Sequence, residues 1–392
     1  MFDFNRVVDR RGTHATKWDM MAALSGITAP DAIPMWVADM DFKVPPGVTE
    51  ALRAECDRGM HGYYANTGSW AAALAGWFQR RHAFRVDPAW VSQTPGIVSG
   101  LGLILQAVSE PGDEVVLFPP AYHAFRKIIL ANDRHILDAQ LVEQQGRYVM
   151  DLDALAAKLT PRTKVVFFCN PHNPGGNAWS ADEIAALAKL CIERDLILVS
   201  DEIHCDLLFP GVTHTPTLVA APEVADRLYT CVAATKTFNL AGAHVGACVT
   251  SNAALKRRLD ARINASGLGS YNSFGMLATE AAWRTGDAWL DALLPYLAAN
   301  RDHFNRRIEA AVPGARAMRL DATYLAWVNF SKVGIGADAV ADRIKERARI
   351  FVSPGEQFGP GGKTWLRFNF ATPRPILDEA LNRIDAAFKD VR

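Results

Sequence analysis

The sequence has no excess of either charge: 42 Lys and Arg balance 42 Asp and Glu over 392 residues, a formal net charge of +0. That balance removes the electrostatic ground for a nucleic-acid or anionic-membrane partner, and no Lys/Arg block is long enough to form a basic arm. No apolar run reaches the ~20 residues needed to span a bilayer. The first twenty or so residues carry Asp3, Arg6, Asp9, Arg10 and Arg11 without an apolar stretch, so no signal peptide is readable. The six cysteines (Cys56, Cys169, Cys191, Cys205, Cys231, Cys248) include no Cys-x-x-Cys pair. Several lie in apolar runs, which favours buried thiols over a disulfide framework. The histidines show no metal-ligand spacing, since His204 directly precedes Cys205, and no metal is expected. No Gly-x-Gly-x-x-Gly opens a helix after a strand, which argues against a nucleotide-binding oxidoreductase. The expectation left by these absences is a soluble, cytoplasmic protein without repeats or low-complexity segments.

What is present is a large apolar content, 49% of the chain. The length exceeds the ~250–300 residues at which single cores split, so more than one domain is expected. Residues 1–45 read as an arm without regular structure, ending in Trp36-Val37-Ala38-Asp39-Met40-Asp41-Phe42 and then Pro45-Pro46. Packing on the core and walling a site are equally open roles for it. The two prolines forbid a helix start before Gly47. From Trp90 onward, apolar strand-like runs alternate with helical patterns. Strands are expected at 115–118, 136–139, 165–169, 196–200, 228–233 and 245–250, and helices at 97–109, 122–132 and 151–159. A further helix runs from a capping box, Ser180 with Glu183, to about Arg194. Such alternation implies an α/β fold with a mainly parallel sheet covered on both faces. Near Asp287 the texture changes to a long mixed-charge helix and then shorter strands and helices, as in a smaller α+β domain. The expected division is 1–45 as arm, 46–286 as large domain and 287–392 as small domain.

Open parallel sheets bind ligands beyond the carboxyl ends of their strands. Expected strands end there in polar chemistry: Asn170 and Asn173; Asp201, Glu202 and His204; and Lys236. A lysine beyond a buried strand, flanked by Thr235 and Thr237, would have a lowered pKa and an amine free to condense with an aldehyde. The bland alternative is an ordinary solvated lysine. Asp201 could hold a protonated ring nitrogen, or simply cap a helix. Asn173 could donate to a phenolic oxygen, or serve its turn. The helix opening at Gly96-Ile97-Val98 has no acidic residue in its first turn and suits a phosphate, with a bond from Thr235. Tyr122 could stack on a ring or belong to the core. Arg367, a charge inside the strand-like Leu366-Arg367-Phe368-Asn369-Phe370, wants a carboxylate: a substrate's, or one from its own chain.

These residues together resemble fold type I pyridoxal-phosphate enzymes of the class I/II aminotransferase family, and most closely the MalY/PatB branch of cystathionine β-lyases, or C–S lyases. The likeness is carried by Asn170-Pro171-His172-Asn173-Pro174-Gly175-Gly176, Ser200-Asp201-Glu202-Ile203-His204 and Thr235-Lys236-Thr237-Phe238-Asn239, in that order. It is extended by Phe2-Asp3-Phe4, Trp36 to Phe42, His61-Gly62-Tyr63, Pro119-Pro120-Ala121-Tyr122 and Leu366-Arg367-Phe368-Asn369. It implies a seven-stranded type of sheet in the large domain and a homodimer acting on a small amino-acid substrate. By the resemblance Lys236 would join the cofactor and shuttle the substrate's α-proton. Asp201 would pair with the pyridine nitrogen, Asn173 would contact the phenolic oxygen, and Tyr122 would stack on the ring. Ile97, Val98 and Thr235 would hold the phosphate, with Tyr63 reaching across from a second subunit. Arg367 would bind the substrate carboxylate, beside Val37 and Ala38. His204 replaces the tyrosine usual in aminotransferases and favours the lyase branch. His244 and Ala233 depart from the phosphate-binding arginine and serine often found at those places. The implied reaction is β-elimination of an L-cysteine conjugate to thiol, pyruvate and ammonia. An aminotransferase is the alternative, and a non-catalytic binding or regulatory protein on the same fold is the remote one.

Overall fold

In the computed structural model, which describes residues 2–65 and 67–391, the alternating pattern resolves into a seven-stranded sheet. Asn66 lies outside the described residues. The strands are β1 (Val91–Thr94), β2 (Glu114–Leu117), β3 (His135–Asp138), β4 (Thr163–Cys169), β5 (Ile197–Asp201), β6 (Leu228–Val232) and β7 (Gly246–Val249). Side by side they run β1-β7-β6-β5-β4-β2-β3. The pairs from β3 across to β6 are parallel, while β7 is antiparallel to both β6 and β1. The sheet is therefore mixed at one side. Between β6 and β7 the chain forms only one-turn helices, Ala234–Thr237 and Ala241–Ala243, and it returns antiparallel instead of crossing over.

The central strands are buried almost throughout, as a sheet covered on both faces requires. One cover is the helix Ile97–Val108, whose Leu101 and Ile104 pack with Val115, Phe167 and Tyr229. On the other face a larger core gathers Trp77, Phe168, Phe238 and Trp289 and continues into a second sheet. That sheet holds β8 (Arg316–Ala317), β9 (Leu325–Asn329), β10 (Ser353–Pro354) and β11 (Trp365–Asn369), antiparallel in the order β8-β9-β11-β10. The helix Ala181–Glu193 begins at the expected capping box, with Ser180 and Glu183 bonded reciprocally. No helix among the described residues is long and apolar enough to cross a membrane.

Two expectations for the start of the chain are corrected. The first helix after the arm is Pro46–Arg58, so it begins at the second proline. Proline is tolerated at the first helical position because its missing N–H would have no partner there anyway. The arm is also not wholly irregular. It carries the short helices Thr16–Asp19 and Met21–Ser25, and Ile33–Pro34 pairs in parallel with Ile350–Phe351.

A buried ion cluster pins this arm. Asp41 accepts from Lys17 Nζ at 2.7 Å, Trp18 Nε1 at 2.9 Å and Arg10 Nη1 at 2.9 Å. Burial opposes the ionisation of Asp41, but those partners outweigh it and hold its pKa below the ordinary value. Lys17 is fully buried, and its next carboxylate, that of Asp39, stands 3.8 Å away. Asp41→Ala should therefore cost about 3–5 kcal/mol, the usual effect of stranding a buried charge. Urea denaturation of the cofactor-free protein measures it, and a loss below ~1 kcal/mol would mean that the cluster does not pin the arm.

Candidate active site

The carboxyl ends of β1, β2, β4, β5 and β6 meet at one edge of the large sheet. Because β7 runs the other way, it is the start of β7 that lies at this edge. A side chain on Gly246 would put its Cβ 3.0 Å from the Gly96 carbonyl carbon and 3.1 Å from Ile97 N, so glycine lets β7 pass beneath the turn leaving β1. Gly96 turns the chain at φ 84° into the helix Ile97–Val108. The result is a cavity of about 300 Å³ lined by Gly96, Ile97, Val98 and Ser99, by Tyr122, Asn173, Asp201 and His204, by Thr235, Lys236 and His244, and by Ala38 of the arm.

Buried charge dominates this cavity. Asp201 is 5% exposed, and its Oδ1 accepts from the Ile203 N–H at 3.2 Å. Burial pushes its pKa up to about 7. Lys236 is accessible only in part, toward the cavity it lines, and its Nζ donates to the Ala38 carbonyl at 2.7 Å. Burial, and then the charge of Arg367, bring the amine down to about 8. Arg367 is 3% exposed and burial lowers it to about 10. Its guanidinium donates to Asn173 Oδ1 at 3.0 Å, the Trp36 carbonyl at 2.9 Å and Ser353 Oγ at 3.3 Å. Its Nε has no partner, and no carboxylate lies within ion-pairing distance among the described residues. The intramolecular ion pair left open for Arg367 is thus not formed.

Neutral polar groups complete the arrangement. An arginine only donates, so Asn173 must turn its oxygen to Arg367, which leaves its NH₂ as a donor at the cavity wall. The His204 ring is buried with Nδ1 unpartnered, and burial, with help from Lys236 and Arg367, pushes its pKa down to about 3. At neutral pH it is an uncharged histidine. The N–H groups of Ile97, Val98 and Ser99 precede the first intrahelical bond, from Gly100 N to the Gly96 carbonyl at 3.2 Å. With no acid in that first turn, they form an anion cradle open to the cavity. A phosphorylated pyridine aldehyde fits this donor set: an amine with a lowered pKa, a carboxylate short of a cation, an amide donor and a cradle for phosphate.

Of the residues singled out in the sequence, Ile97, Val98, Tyr122, Asn173, Asp201, His204, Thr235, Lys236 and Ala38 share this cavity, and Arg367 adjoins it through Asn173. Val37 is beside it but not in its lining; its carbonyl is held by Asn369 Nδ2 at 2.6 Å. Tyr63 stands apart, 95% exposed. Ser99 joins the cradle although sequence reasoning passed over it; a hydroxyl in the first turn of a helix free of acids was the available signal. Asn239 and Asn369 also went without a role. Asn239 brackets the arm through Met40 N, at 2.9 Å, and the carbonyls of Met40 and Phe42, at 3.0 and 2.9 Å.

Comparison with known proteins places this geometry in company. A family model for aminotransferase class I and II matches residues 31–384. Cystathionine beta-lyase PatB of Bacillus subtilis (strain 168) is 38% identical over 386 residues, covering 98% of this chain and 99% of its own. Protein MalY of Escherichia coli (strain K12) is 32% identical over 398 residues, covering 100% of each chain. Among solved structures, cystalysin from Treponema denticola, which contains a pyridoxal 5′-phosphate cofactor, is similar with a TM-score of 0.96 at 30% identity, covering 100% of each chain.

The raised pKa of Asp201 has a consequence for stability. The unfolded chain loses this proton near 3.8 and the cofactor-free fold near 7. Between those values the fold keeps a proton that the unfolded chain has lost, so stability falls as pH rises through this window and stays lowered above it. Asp201→Asn should therefore raise the Tm of the cofactor-free protein at about pH 8 by ~3 °C or more, with little change at about pH 4. Calorimetry at the two pH values checks this; an equal or lower Tm at the higher pH would show that Asp201 is not strained by burial.

Proposed function

The chain belongs to the class I and II aminotransferase family, and from that premise we propose that it is a pyridoxal 5′-phosphate-dependent C–S β-lyase. It would cleave L-cysteine conjugates such as cystathionine to a thiol, pyruvate and ammonia. The observation that carries the reading is Arg367, a buried guanidinium with no carboxylate paired to it among the described residues, set beside the amide that also faces Asp201 and Lys236 across the cavity. A substrate carboxylate would answer that need, and the guanidinium adjoins a cavity able to admit one. The choice of elimination is supported by the near full-length likeness to proteins known as cystathionine β-lyases and by the histidine at position 204.

Pyridoxal 5′-phosphate, when bound, supplies an aldehyde that joins amines and a ring that takes up the electron pair left by a departing α-proton. Lys236 would be the amine that joins it and, once the substrate's amine has taken that place, would take the α-proton. Its lowered pKa keeps a substantial part of it neutral near physiological pH. Asp201 would hold the proton on the ring nitrogen, which would in turn give this carboxylate the cation it lacks. Asn173 would donate to the phenolic oxygen while its own oxygen stays on Arg367. Tyr122 would pack against the ring. The first turn from Ile97 to Ser99, with Thr235, would receive the phosphate. Arg367 would fix the substrate carboxylate, beside Val37 and Ala38; the bond to the β-sulfur would break with its electron pair going to the thiolate, and the released aminoacrylate would tautomerise and take up one water to give pyruvate and ammonia.

Tyr63 is assigned to the phosphate site of a second copy. Its near-complete exposure in its own chain, in a loop with the exposed Met60, supports a homodimeric assembly. In the same reading, residues 46–286 hold the cofactor and residues 287–392 carry Arg367.

Incubation with cystathionine separates this reading from the aminotransferase alternative. The holoenzyme should release pyruvate and a free thiol in equal amounts without any keto-acid acceptor, as followed with a coupled pyruvate assay and a thiol reagent. Turnover that appears only when a keto acid is added would instead make it an aminotransferase.

A further inference from the structure

Tyr324 stands directly before β9, fully buried. Its hydroxyl donates to the Ala38 carbonyl at 3.0 Å, and the same oxygen accepts from Lys236 Nζ at 2.7 Å. One carbonyl, with its two lone pairs, thus serves the tyrosine and the lysine together. That carbonyl is also aimed. Asn369 Nδ2 donates to the carbonyls on either side of it, those of Val37 at 2.6 Å and Asp39 at 2.5 Å. The amide of Asn369 is itself oriented, because its Oδ1 accepts from the Ala371 N–H at 2.8 Å.

The tyrosine is held in place at a cost. Thr323, the residue before it, has φ 72°, a left-handed conformation that a β-branched side chain rarely adopts. Its N–H donates to the Leu207 carbonyl at 2.7 Å and its hydroxyl accepts from the Leu325 N–H at 3.2 Å. Backbone strain held by bonds of this kind gathers at functional sites. Here it delivers a buried hydroxyl to the one oxygen that holds the reactive amine.

We propose that Tyr324 is a positioning residue: by sharing the Ala38 carbonyl it limits how strongly that oxygen holds Lys236, and so sets how readily the amine gives up and takes back its proton. A carbonyl acceptor favours an ammonium over a neutral amine. A second donor on the same oxygen draws off part of that stabilisation and keeps the amine available. The other groups around the amine are Arg367 on β11, Asp201 at the end of β5, Asp39 on the arm, and His204, Tyr122 and His244 in the cavity lining. Tyr324→Phe leaves all of these side chains in the sequence and keeps the ring beside His204, while it removes the competing donor. The inference rests on Lys236 being the reactive amine of the proposed lyase.

The test uses cofactor-free protein, so that catalysis does not enter. Lys236 is labelled with a small amine-reactive anhydride across a pH series, and the peptide that carries it is quantified by mass spectrometry. Tyr324→Phe should shift the labelling midpoint upward, so that near neutral pH labelling slows about threefold, the equivalent of ~0.5 pH unit. A purely structural tyrosine would alter Tm and leave the midpoint in place, and an unchanged midpoint in a folded Tyr324→Phe protein overturns the proposal. Should that variant not fold, 3-fluorotyrosine placed at position 324 keeps the ring's size and makes its hydroxyl a stronger donor to the Ala38 carbonyl. It should shift the midpoint in the opposite direction, downward, and no shift overturns the proposal equally. Failure here leaves the cofactor reading intact, whereas a wild-type protein that does not bind pyridoxal 5′-phosphate would sink that reading whatever the midpoints.

Discussion

Burying a charge without a counter-ion is among the most expensive things a fold can do, and this one sets three such groups around one cavity. Among the described residues Arg367 donates to neutral acceptors, and Asp201 accepts from one backbone N–H. Lys236 rests on a backbone carbonyl. Elsewhere most buried charges have a partner of ionisable type; Arg134, which donates to Ser109 and to backbone carbonyls, is an exception. Asp41 has Lys17 and Arg10, Glu202 has His214 at 2.9 Å, and Asp206 has His82 at 2.7 Å. For Glu202 and Asp206 burial again opposes ionisation, and again the partners outweigh it. What sets the cavity apart is that three such groups of both signs gather at one opening, where a cationic ring, an aldehyde and a carboxylate would answer them.

The arm makes this arrangement mechanically coherent. The carbonyls of Trp36 to Met40 each accept from a side chain of the site or of its immediate surroundings. Arg367 takes Trp36; Lys236 and Tyr324 take Ala38; Asn369 takes Val37 and Asp39; and Asn239 takes Met40. Asn239 follows Lys236 on the large sheet's side, and Asn369 follows Arg367 on β11. The arm therefore ties the group that would hold the cofactor to the group that would hold the substrate. The buried cluster at Asp41 then anchors the arm itself.

How much of this could be read from sequence differs with the physics involved. The strands β4, β5 and β6 were plain because a doubly covered sheet demands continuous apolar runs, and the polar residues ending those runs stood out against them. Lys236, Asp201 and Asn173 were legible for that reason, with their order supplying the resemblance. The antiparallel course of β7 was not, because Gly246–Val249 has the same apolar texture in either direction and only the short return after β6 decides it. The helix start at Pro46 was misjudged because proline's clash in a helix interior was applied to a first turn. Tyr324 carried no signal, since a tyrosine entering an apolar strand reads as core; its role appears only when the arm folds back to bring Ala38 to its hydroxyl. Likewise the side-chain amides of Asn239 and Asn369 bond to backbone, which leaves no pattern of residue types to detect.

The central claim is that the amine of Lys236 is the covalent anchor of pyridoxal 5′-phosphate in a cavity built around it. Adding that cofactor to cofactor-free protein, and following the visible absorption of the imine that an amine forms with its aldehyde, tests this most directly. The account predicts a yellow, dialysis-resistant band in the wild-type protein that is absent from Lys236→Ala. A wild-type protein that stays colourless, or a band that persists unchanged in the alanine variant, would contradict it.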